Sequence, residues 1–524
     1  MEGMPVSLMV STATRTQSSF PLNMASLNRN ARQGIWDEVL EALGMLQRSG
    51  LQEDVVVCGV ALRACRRGQL WARALGLLLA MERGGPEPDI VAASAAISVC
   101  AAGGRWKRAA CILSGAWRGH LRPDAMACSG AVAAFEQAGQ WLSALHLQED
   151  MRVFAILPNV VTCNSAIGAC AKGMNWEMAL VLLLEADITS LRPDARTYSA
   201  AIGACEKGHQ WEQALHLLSE MLQCGLDPNI ITCSSVISAC EKGLQWERAL
   251  QLLLEVKQAS MHPTAVTYNA VISACEKCEQ WQRALELLSE MREAAVAPTV
   301  VTYSAVISAL AKCRQWWGCL LLLQAMARRR VAPNVVAYGA AISGCEKGAQ
   351  WRTALRLLAR MRGALLEPSA VALNAAMSAC EKGGEWQWAL ALLRAMVPDS
   401  FSYSAVVSAC DRGLQWERAL ALLSEMRECH VAPDILTCNA VISTCLKQLQ
   451  WEALVQVLED MWLSGPEPDA FSWGAAAGAC KRALEWEQAV QLVVAMRRRA
   501  LAVDGAARSA AIGACEKAGR WAAA

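Results

Sequence analysis

Two short apolar segments decide the fold of this chain. Residues 266–277 read Val-Thr-Tyr-Asn-Ala-Val-Ile-Ser-Ala-Cys-Glu-Lys, and residues 281–291 read Trp-Gln-Arg-Ala-Leu-Glu-Leu-Leu-Ser-Glu-Met. The second segment has apolar residues at the i, i+3 and i+4 spacing of an amphipathic helix. The first is rich in Ala, Ser and Cys and ends in Glu-Lys, which is typical of a helix C-terminus. We therefore predict two antiparallel helices for this stretch.

The same pair of segments recurs along the chain with a period of 35 residues. Tryptophan opens the second segment at every 35th position from Trp36 to Trp386, and again from Trp416 to Trp521. Pro398 follows Trp386 after 12 residues instead of the usual 17, which indicates one shortened repeat. We number each repeat from the residue after the proline and its polar neighbour, so repeats start at residues 20, 55, 90, 125, 160, 195, 230, 265, 300, 335, 370, 400, 435, 470 and 505.

These repeats predict an all-α fold. One helix pair cannot bury its apolar face alone, so neighbouring pairs stack around a continuous core. We predict a right-handed superhelical α-solenoid of about fifteen helix-turn-helix repeats over residues 20–524, with a short repeat at 370–399 and a truncated one at 505–524. The recurrent Trp, and the Met ten residues after it, are predicted to pack between helices. A glycine often follows the Glu-Lys pair and is predicted to form a left-handed cap.

The cysteines follow the repeat and do not form ligand clusters. Twelve of the 23 cysteines occupy the eleventh place, which Phe135 and Leu310 fill in two other repeats. A place that accepts Cys, Phe and Leu is a core position. Cys275 and Cys278 form one C-x-x-C without a second pair, so we favour core packing over metal or redox use. This many thiols also indicates a reducing compartment.

Nothing in the sequence indicates catalysis. The six histidines include no His–His pair at the i, i+4 spacing of a helical metal site, and no phosphate-binding glycine loop or nucleophile elbow is present. Each apolar run is broken before it could span a membrane. With a formal net charge of +1, general attraction to nucleic acid is also excluded, so basic residues would have to act from one surface. We expect no catalytic site, no metal and no cofactor.

The 35-residue period, the Pro-Asp or Pro-Asn boundary, and segments such as residues 300–307 resemble the pentatricopeptide repeat family. The resemblance covers nearly the whole chain from about residue 20. It implies binding of single-stranded RNA with one base read per repeat. It also implies a role in organellar RNA processing, stability, editing or translation, acting alone or through a separate RNA-processing enzyme.

In that family, the fifth and last residues of a repeat choose the base. The fifth place here is held by Ser94, Ser129, Asn164, Ser199, Ser234, Asn269, Ser304, Asn374, Ser404 and Asn439. The last place holds Asp124, Asn159, Asp194, Asn229, Asn334, Asp399, Asp434 and Asp469, and also Thr264 and Thr299. By the family's rule, the repeats starting at 90, 125, 160 and 195 favour G-A-U-A, and those starting at 370, 400 and 435 favour U-G-U.

The last place also has a purely structural interpretation. Asp, Asn, Ser and Thr are the preferred N-cap residues, and this place directly precedes the next first helix, so capping alone would explain it. Capping does not explain the Asn and Ser residues at the fifth place, which lies inside the helix. For that place we favour base contact.

A column of basic residues at the thirteenth place is the candidate phosphate contact. It comprises Lys172, Lys207, Lys242, Lys277, Lys312, Lys347, Lys382, Arg412 and Lys447, with Arg482 and Lys517 beyond them. Stacked repeats would align these cations as a ladder and give salt-sensitive RNA affinity. Cations are also favoured at helix C-termini, and this structural role is the default interpretation, with which phosphate contact is compatible.

The ends of the chain give weaker indications. Residues 1–19 contain Ser and Thr but no apolar signal core, and we expect a disordered or targeting segment there. The resemblance implies the chloroplast or mitochondrion, with the cytoplasm as the alternative. The truncated last repeat favours a fragment that lacks a C-terminal domain. The alternative function is a helical-repeat scaffold for protein–protein interaction. We expect the short repeat to kink the superhelix and to disturb the base register.

Overall fold

The chain is all-helical wherever the computed structural model describes it. The described residues are 89–118, 123–189 and 191–483, with isolated positions between 65 and 76 and between 487 and 516. They contain helices and turns but no strand. Residues 1–19 and the repeat starting at 20 lie outside them. None of the helices in the described part is both long and apolar enough to cross a bilayer.

The helices fall into two compact units. The N-terminal unit, Met1–His262, contains α1 (Ile90–Ala102), α2 (Trp106–Arg118), α3 (Ala125–Ala138), α4 (Trp141–Val153), α5 (Val160–Lys172), α6 (Trp176–Ile188), α7 (Ala195–Lys207), α8 (Trp211–Gln223), α9 (Ile230–Lys242) and α10 (Trp246–Gln258). The C-terminal unit, Pro263–Ala524, contains α11 (Ala265–Lys277), α12 (Trp281–Glu293), α13 (Val300–Lys312), α14 (Trp316–Arg328), α15 (Val335–Lys347), α16 (Trp351–Gly363), α17 (Ala370–Gly383), α18 (Trp386–Leu393), α19 (Ser400–Arg412), α20 (Trp416–Glu428), α21 (Ile435–Lys447), α22 (Trp451–Ser464) and α23 (Ala470–Ala483). Odd-numbered helices are the first helices of their repeats, and even-numbered ones are the second helices.

Each first helix begins directly after a polar cap. In α7, the Asp194 carboxylate accepts hydrogen bonds from the Thr197 amide (2.8 Å) and the Arg196 amide (3.0 Å). The Asp194 amide donates back to the Thr197 hydroxyl (3.1 Å), which completes a capping box. A polar side-chain N-cap recurs before the other first helices, and the full capping box is also formed at α11, α13 and α19. The helix starts therefore agree with the predicted repeat starts.

The helices form two layers within each unit. Inside a unit, first helices of consecutive repeats pack side by side, and a second helix packs on the first helix of its own repeat and on that of the following repeat. In α8, Ala214, Leu217, Leu218 and Met221 are all buried. Their i, i+3, i+4, i+7 spacing makes one apolar stripe. The predicted packing role of the recurrent Met is confirmed.

The prediction of a left-handed cap for the glycine after Glu-Lys is wrong. Gly208 has φ −78°, and the following residue, His209, is the one with a positive φ of 59°. Gly208 is needed for space, because a Cβ there would lie 2.3 Å from Cδ1 of Trp176 in the preceding repeat. The same approach occurs between Gly243 and Trp211. Where this fourteenth place holds glycine, the tryptophan of the preceding repeat can therefore approach the backbone closely.

The shortened repeat loses its five residues from the second helix. Helix α18 has 8 residues, whereas α16 and α20 each have 13. Because the loss lies outside the first helix, α17 still packs against α19. Asn374 still donates to the Asp399 carboxylate across the shortened repeat, at 3.4 Å. The local geometry of the polar pair is therefore kept, and the expected disturbance of the base register stays a prediction.

The eleventh-place cysteines lie in the core, as predicted. Cys205, Cys240 and Cys275 are fully buried, as are Phe135 and Leu310 at the same place. Burial raises the pKa of the Cys205 and Cys240 thiols to about 11. None of the described cysteines forms a disulfide.

We predict that alkylation of the native protein separates two classes of cysteine. Iodoacetamide reacts with the thiolate, so buried thiols of raised pKa should resist it near neutral pH. The exposed Cys111, Cys224 and Cys429 should be modified. Peptide mass spectrometry checks this, with a denatured sample as the control in which all sites react. Modification of native Cys205 as fast as Cys224 would contradict the core assignment.

Candidate nucleic-acid interface

The fifth-place side chains form a row on the first helices of each unit. They occupy equivalent positions on helices that pack side by side, so they lie along one edge of that layer. Asn164, Ser199 and Asn269 are partly exposed and not packed in the core, and Ser304 is the buried exception. A ligand along this edge could reach most of the row.

Where the fifth residue is Asn and the last is Asp, the two side chains meet. Asn164 Nδ2 donates to the Asp194 carboxylate at 3.2 Å, and Asn439 does the same to Asp469 at 3.1 Å. The Thr197 hydroxyl of the next first helix donates to Asn164 Oδ1 at 2.6 Å. An Asn amide has two N–H donors and two acceptor lone pairs. One donor and one lone pair therefore remain for a ligand.

The fifth-place serines, unlike the asparagines, donate their hydroxyl proton to a backbone carbonyl of their own helix. The hydroxyl of Ser199 donates to the carbonyl of Ala195 at 2.7 Å, and that of Ser404 donates to Phe401 at 3.0 Å. Ser304 donates to Val300 at 2.8 Å and also lies 3.2 Å from Oδ1 of the last-place Asn334. With its proton engaged by the backbone, a serine presents acceptor lone pairs, whereas an asparagine also offers a donor.

The last-place residues cap helices, as the structural interpretation predicted. The carboxylate of Asp399 accepts from the Ser402 amide at 2.7 Å, and the Asn159 side chain accepts from Thr162 at 2.8 Å. The hydrogen bond from the Ser402 hydroxyl is the main cause that lowers the pKa of Asp399, and the bond from Asn374 adds to it. The carboxylate is therefore ionised at neutral pH. Capping leaves its second oxygen for the fifth-place Asn.

The thirteenth-place cations make ion pairs that the sequence did not reveal. Each such pair joins the cation to the twelfth-place acid of the preceding repeat. They are Lys242 with Glu206 (3.3 Å), Lys312 with Glu276 (3.3 Å), Lys382 with Glu346 (3.0 Å), Arg412 with Glu381 (3.5 Å) and Lys447 with Asp411 (2.6 Å). Ala171 and Ala311 stand where such an acid would face Lys207 and Lys347. The thirteenth-place cations therefore link consecutive repeats, and the acids partly neutralise their positive charge.

A row of exposed apolar residues at the second place was missed by the sequence analysis. Val266 and Val371, for example, expose 68% and 72% of their surface. The row consists of Val91, Met126, Val161, Ile231, Val266, Val301, Val336, Val371, Phe401, Leu436 and Phe471. The second place lies one helical turn before the fifth, so both share a face of the helix. The sequence pattern that could have identified this row is the apolar residue that recurs between the polar N-cap and the polar fifth place.

The described residues show no cluster of three or more His, Cys, Asp or Glu that could hold a metal ion. The polar groups of the row are amides, hydroxyls and capped carboxylates in hydrogen-bonded pairs. Such groups recognise donors and acceptors on a ligand.

All the family models that match this chain describe pentatricopeptide (PPR) repeats. The PPR repeat family model matches residues 263–312, and the pentatricopeptide repeat domain model matches residues 181–243, 216–278, 321–382 and 394–448. The PPR repeat model matches residues 161–186 and 301–331. Together these matches cover more than half of the chain. No match was found among curated proteins.

Among solved structures, the chain is similar to the crystal structure of the pentatricopeptide repeat protein PPR10 from maize. The two share 22% identity with a TM-score of 0.52, over 94% of this chain and 76% of that one. The structure of PPR10 in complex with an 18-nt psaJ RNA element matches at 19% identity and a TM-score of 0.43, over 95% of this chain and 87% of that one. The first likeness supports the predicted helical-repeat fold.

Proposed function

The chain belongs to the pentatricopeptide repeat family, and from this premise we propose that it binds single-stranded RNA through the fifth- and last-place side chains, one base per repeat. Members of the family bind RNA in this way, and PPR10 has been crystallised with an RNA element.

The hydrogen-bonded pair of fifth and last residues is the observation that carries the proposal. Asn164 with Asp194, and Asn439 with Asp469, present one free amide N–H and one free lone pair at a partly exposed edge. A base edge carries donors and acceptors that such groups satisfy, and discrimination follows when a wrong base leaves them unpaired. The neighbouring threonine or serine hydroxyl fixes the amide orientation, as Ser472 does for Asn439 at 2.6 Å.

The exposed second-place row supports the same surface. A soluble protein rarely keeps a periodic line of exposed apolar side chains without a partner. Val266, Val301 and Phe401 each lie one helical turn before a fifth-place residue and offer apolar contact to base faces. Edge recognition by polar pairs and face contact by apolar residues together account for both rows.

The family's rule gives the expected base sequence. The repeats starting at 90, 125, 160 and 195 favour G-A-U-A, and those starting at 370, 400 and 435 favour U-G-U, so the target is a gapped motif. Of the basic column, Lys207 and Lys347 face no twelfth-place acid and should contribute most to phosphate attraction.

Selection from a random RNA pool at several salt concentrations tests the proposal. We predict enrichment of the gapped motif, with affinity that falls as salt rises because phosphate contacts release counterions. A protein-binding scaffold would enrich no motif and would show no salt-dependent RNA affinity. Either of these results would reject the proposed function.

We extend the proposal to the cellular role that is usual in the family. The protein would act in the chloroplast or mitochondrion on RNA processing, stability, editing or translation, and a separate enzyme would supply any catalysis. Imaging of the full chain fused to a fluorescent protein tests the location. Co-purification with an RNA-processing enzyme that survives nuclease treatment tests the partnership.

A further inference from the structure

Positive charge is concentrated in one part of the C-terminal unit. Residues 294–366 include ten Lys or Arg and a single Glu, although the whole chain has a net charge of +1. That one acid, Glu346, is already engaged by Lys382 at 3.0 Å and by the Ser378 hydroxyl at 3.0 Å. None of the ten cations of this segment therefore has an ion-pair partner within it, and Lys312 pairs with Glu276 outside it.

Most of these cations lie on second helices or directly after them, away from the fifth-place row. Arginines 328–330 lie at the end of α14, and Arg352, Arg356, Arg360 and Arg362 lie on α16, and all are exposed. We call this set the arginine patch. No ion pair involves any of its members within the described part of the chain. Arg352, Arg356 and Arg360 are spaced by four residues, so they form a line with steps of about 6 Å.

Acidic residues are absent from the two helices that carry the patch. Helix α14 reads WWGCLLLLQAMAR and α16 reads WRTALRLLARMRG. The second helices α12 and α20 carry Glu at several of their exposed positions. Helix α2 is also basic and free of acid, with Lys107, Arg108 and Arg118. Among the described second helices, however, α14 and α16 are the ones that combine these two features in consecutive repeats.

A groove opens between α14 and α16 within the patch. Its volume is about 570 Å³, and its lining includes Arg328, Arg360, Tyr338 and Pro333. In two other repeats, a cysteine near the end of the second helix approaches the fourth-place tyrosine, as Cys429 does to Tyr403 at 3.7 Å. Ala364 stands at that place here, so the small side chain leaves Tyr338 at the edge of an open groove.

Exposed aromatic surface accompanies the cations. Trp317 on α14 is 59% exposed, and the Arg352 guanidinium lies 5.0 Å from the centre of the Trp351 ring. Proteins that hold single-stranded nucleic acid combine a basic groove for the phosphates with aromatic side chains for the bases. Arginine forks also match phosphate oxygens in a bidentate manner. An acidic protein would use the charge but would not require the aromatic surface.

We propose that the arginine patch and its groove form a second RNA-binding surface that holds the phosphodiester backbone without reading bases. This inference rests on the proposed function in taking RNA as the ligand. It concerns different residues, on second helices instead of first helices. The surface raises affinity for any RNA strand and leaves base choice to the fifth-place row.

The test measures binding of the full chain to a polycytidylate oligomer, which lacks the predicted motif, over a range of salt concentrations. The variant Arg328→Gln/Arg356→Gln/Arg360→Gln should lower the slope of log affinity against log salt by about 2, because each lost phosphate contact removes about 0.7 for a single strand. The control Arg248→Gln/Arg283→Gln/Arg418→Gln removes the same charge from α10, α12 and α20 and should change the slope little. The triple Arg→Lys variant at the patch should keep most of the slope and shows that the fold tolerates changes there.

An unchanged slope in the patch variant, with unchanged polycytidylate affinity, would overturn the proposal. Because polycytidylate lacks the predicted motif, its affinity does not depend on base recognition by the fifth-place row. Failure of the proposed function would instead appear as the absence of an enriched motif. If polyglutamate binds the patch and polycytidylate does not, the surface serves an acidic protein and the proposal is also overturned.

Discussion

Replacing Asn164 by Ser should change the base preferred by one repeat from U to G. The paired residue, Asp194, stays in place, and in the family Ser with Asp favours G where Asn with Asp favours U. Serine lacks the amide that donates to Asp194 at 3.2 Å and accepts from Thr197 at 2.6 Å. A well-formed set of base contacts discriminates by about 1–3 kcal/mol, or roughly five- to 150-fold.

Selection from a random RNA pool, or titration of RNAs that differ at one position, measures this exchange. The control Gln213→Ser changes an exposed polar residue on the second helix α8 and should leave the motif unchanged. Thermal unfolding of each variant separates a lost contact from a lost fold. A motif that keeps U at this position, or one that changes at several positions, would contradict reading by separate repeats.

Replacing Gly208 by Val should destabilise the N-terminal unit by about 1–3 kcal/mol, the usual cost of overpacking. A Cβ at this place lies 2.3 Å from Trp176 Cδ1 and 2.7 Å from its Cγ, so the indole or the next repeat must shift. Cys313 and Gln448 occupy the equivalent place elsewhere, which shows that a side chain can be accommodated when the surroundings adapt. We therefore expect a cost in stability and not a failure to fold.

The matched control for this variant is Gly203→Ala in α7, the helix that Gly208 follows. A Cβ at Gly203 meets nothing within 4 Å, and alanine is favoured over glycine inside a helix by about 1 kcal/mol. The midpoint denaturant concentration of unfolding should therefore fall for Gly208→Val and rise for Gly203→Ala. Equal destabilisation by both would mean that contact with the tryptophan is not the reason for the glycine.

The repeat and its helix boundaries could be predicted because their causes are local. A polar cap starts each first helix, as Asp194 does for α7, and a tryptophan opens each second helix. The core position of Cys205 also followed from its place in the repeat. These features depend on residues only a few positions apart.

Features that depend on how repeats stack could not be predicted. Gly208 is required because the indole of Trp176 in the preceding repeat lies against it. From the sequence alone, the glycine was instead interpreted as a left-handed helix cap. Lys242 stands beside Glu241 in the sequence, but it pairs with Glu206, which is 36 residues earlier. In the candidate interface, the sequence identified both members of each polar pair, whereas their hydrogen bonds depend on the approach of neighbouring first helices.

Photo-crosslinking with an RNA that contains U-G-U, in which each uridine is replaced by 4-thiouridine, tests most directly whether the polar row contacts bases. At a salt concentration high enough to suppress backbone-only binding, crosslinks should map to the first helices α17 and α21, which carry Asn374 and Asn439. Crosslinks confined to the second helices, or spread equally over both layers, would contradict base recognition by the fifth-place row.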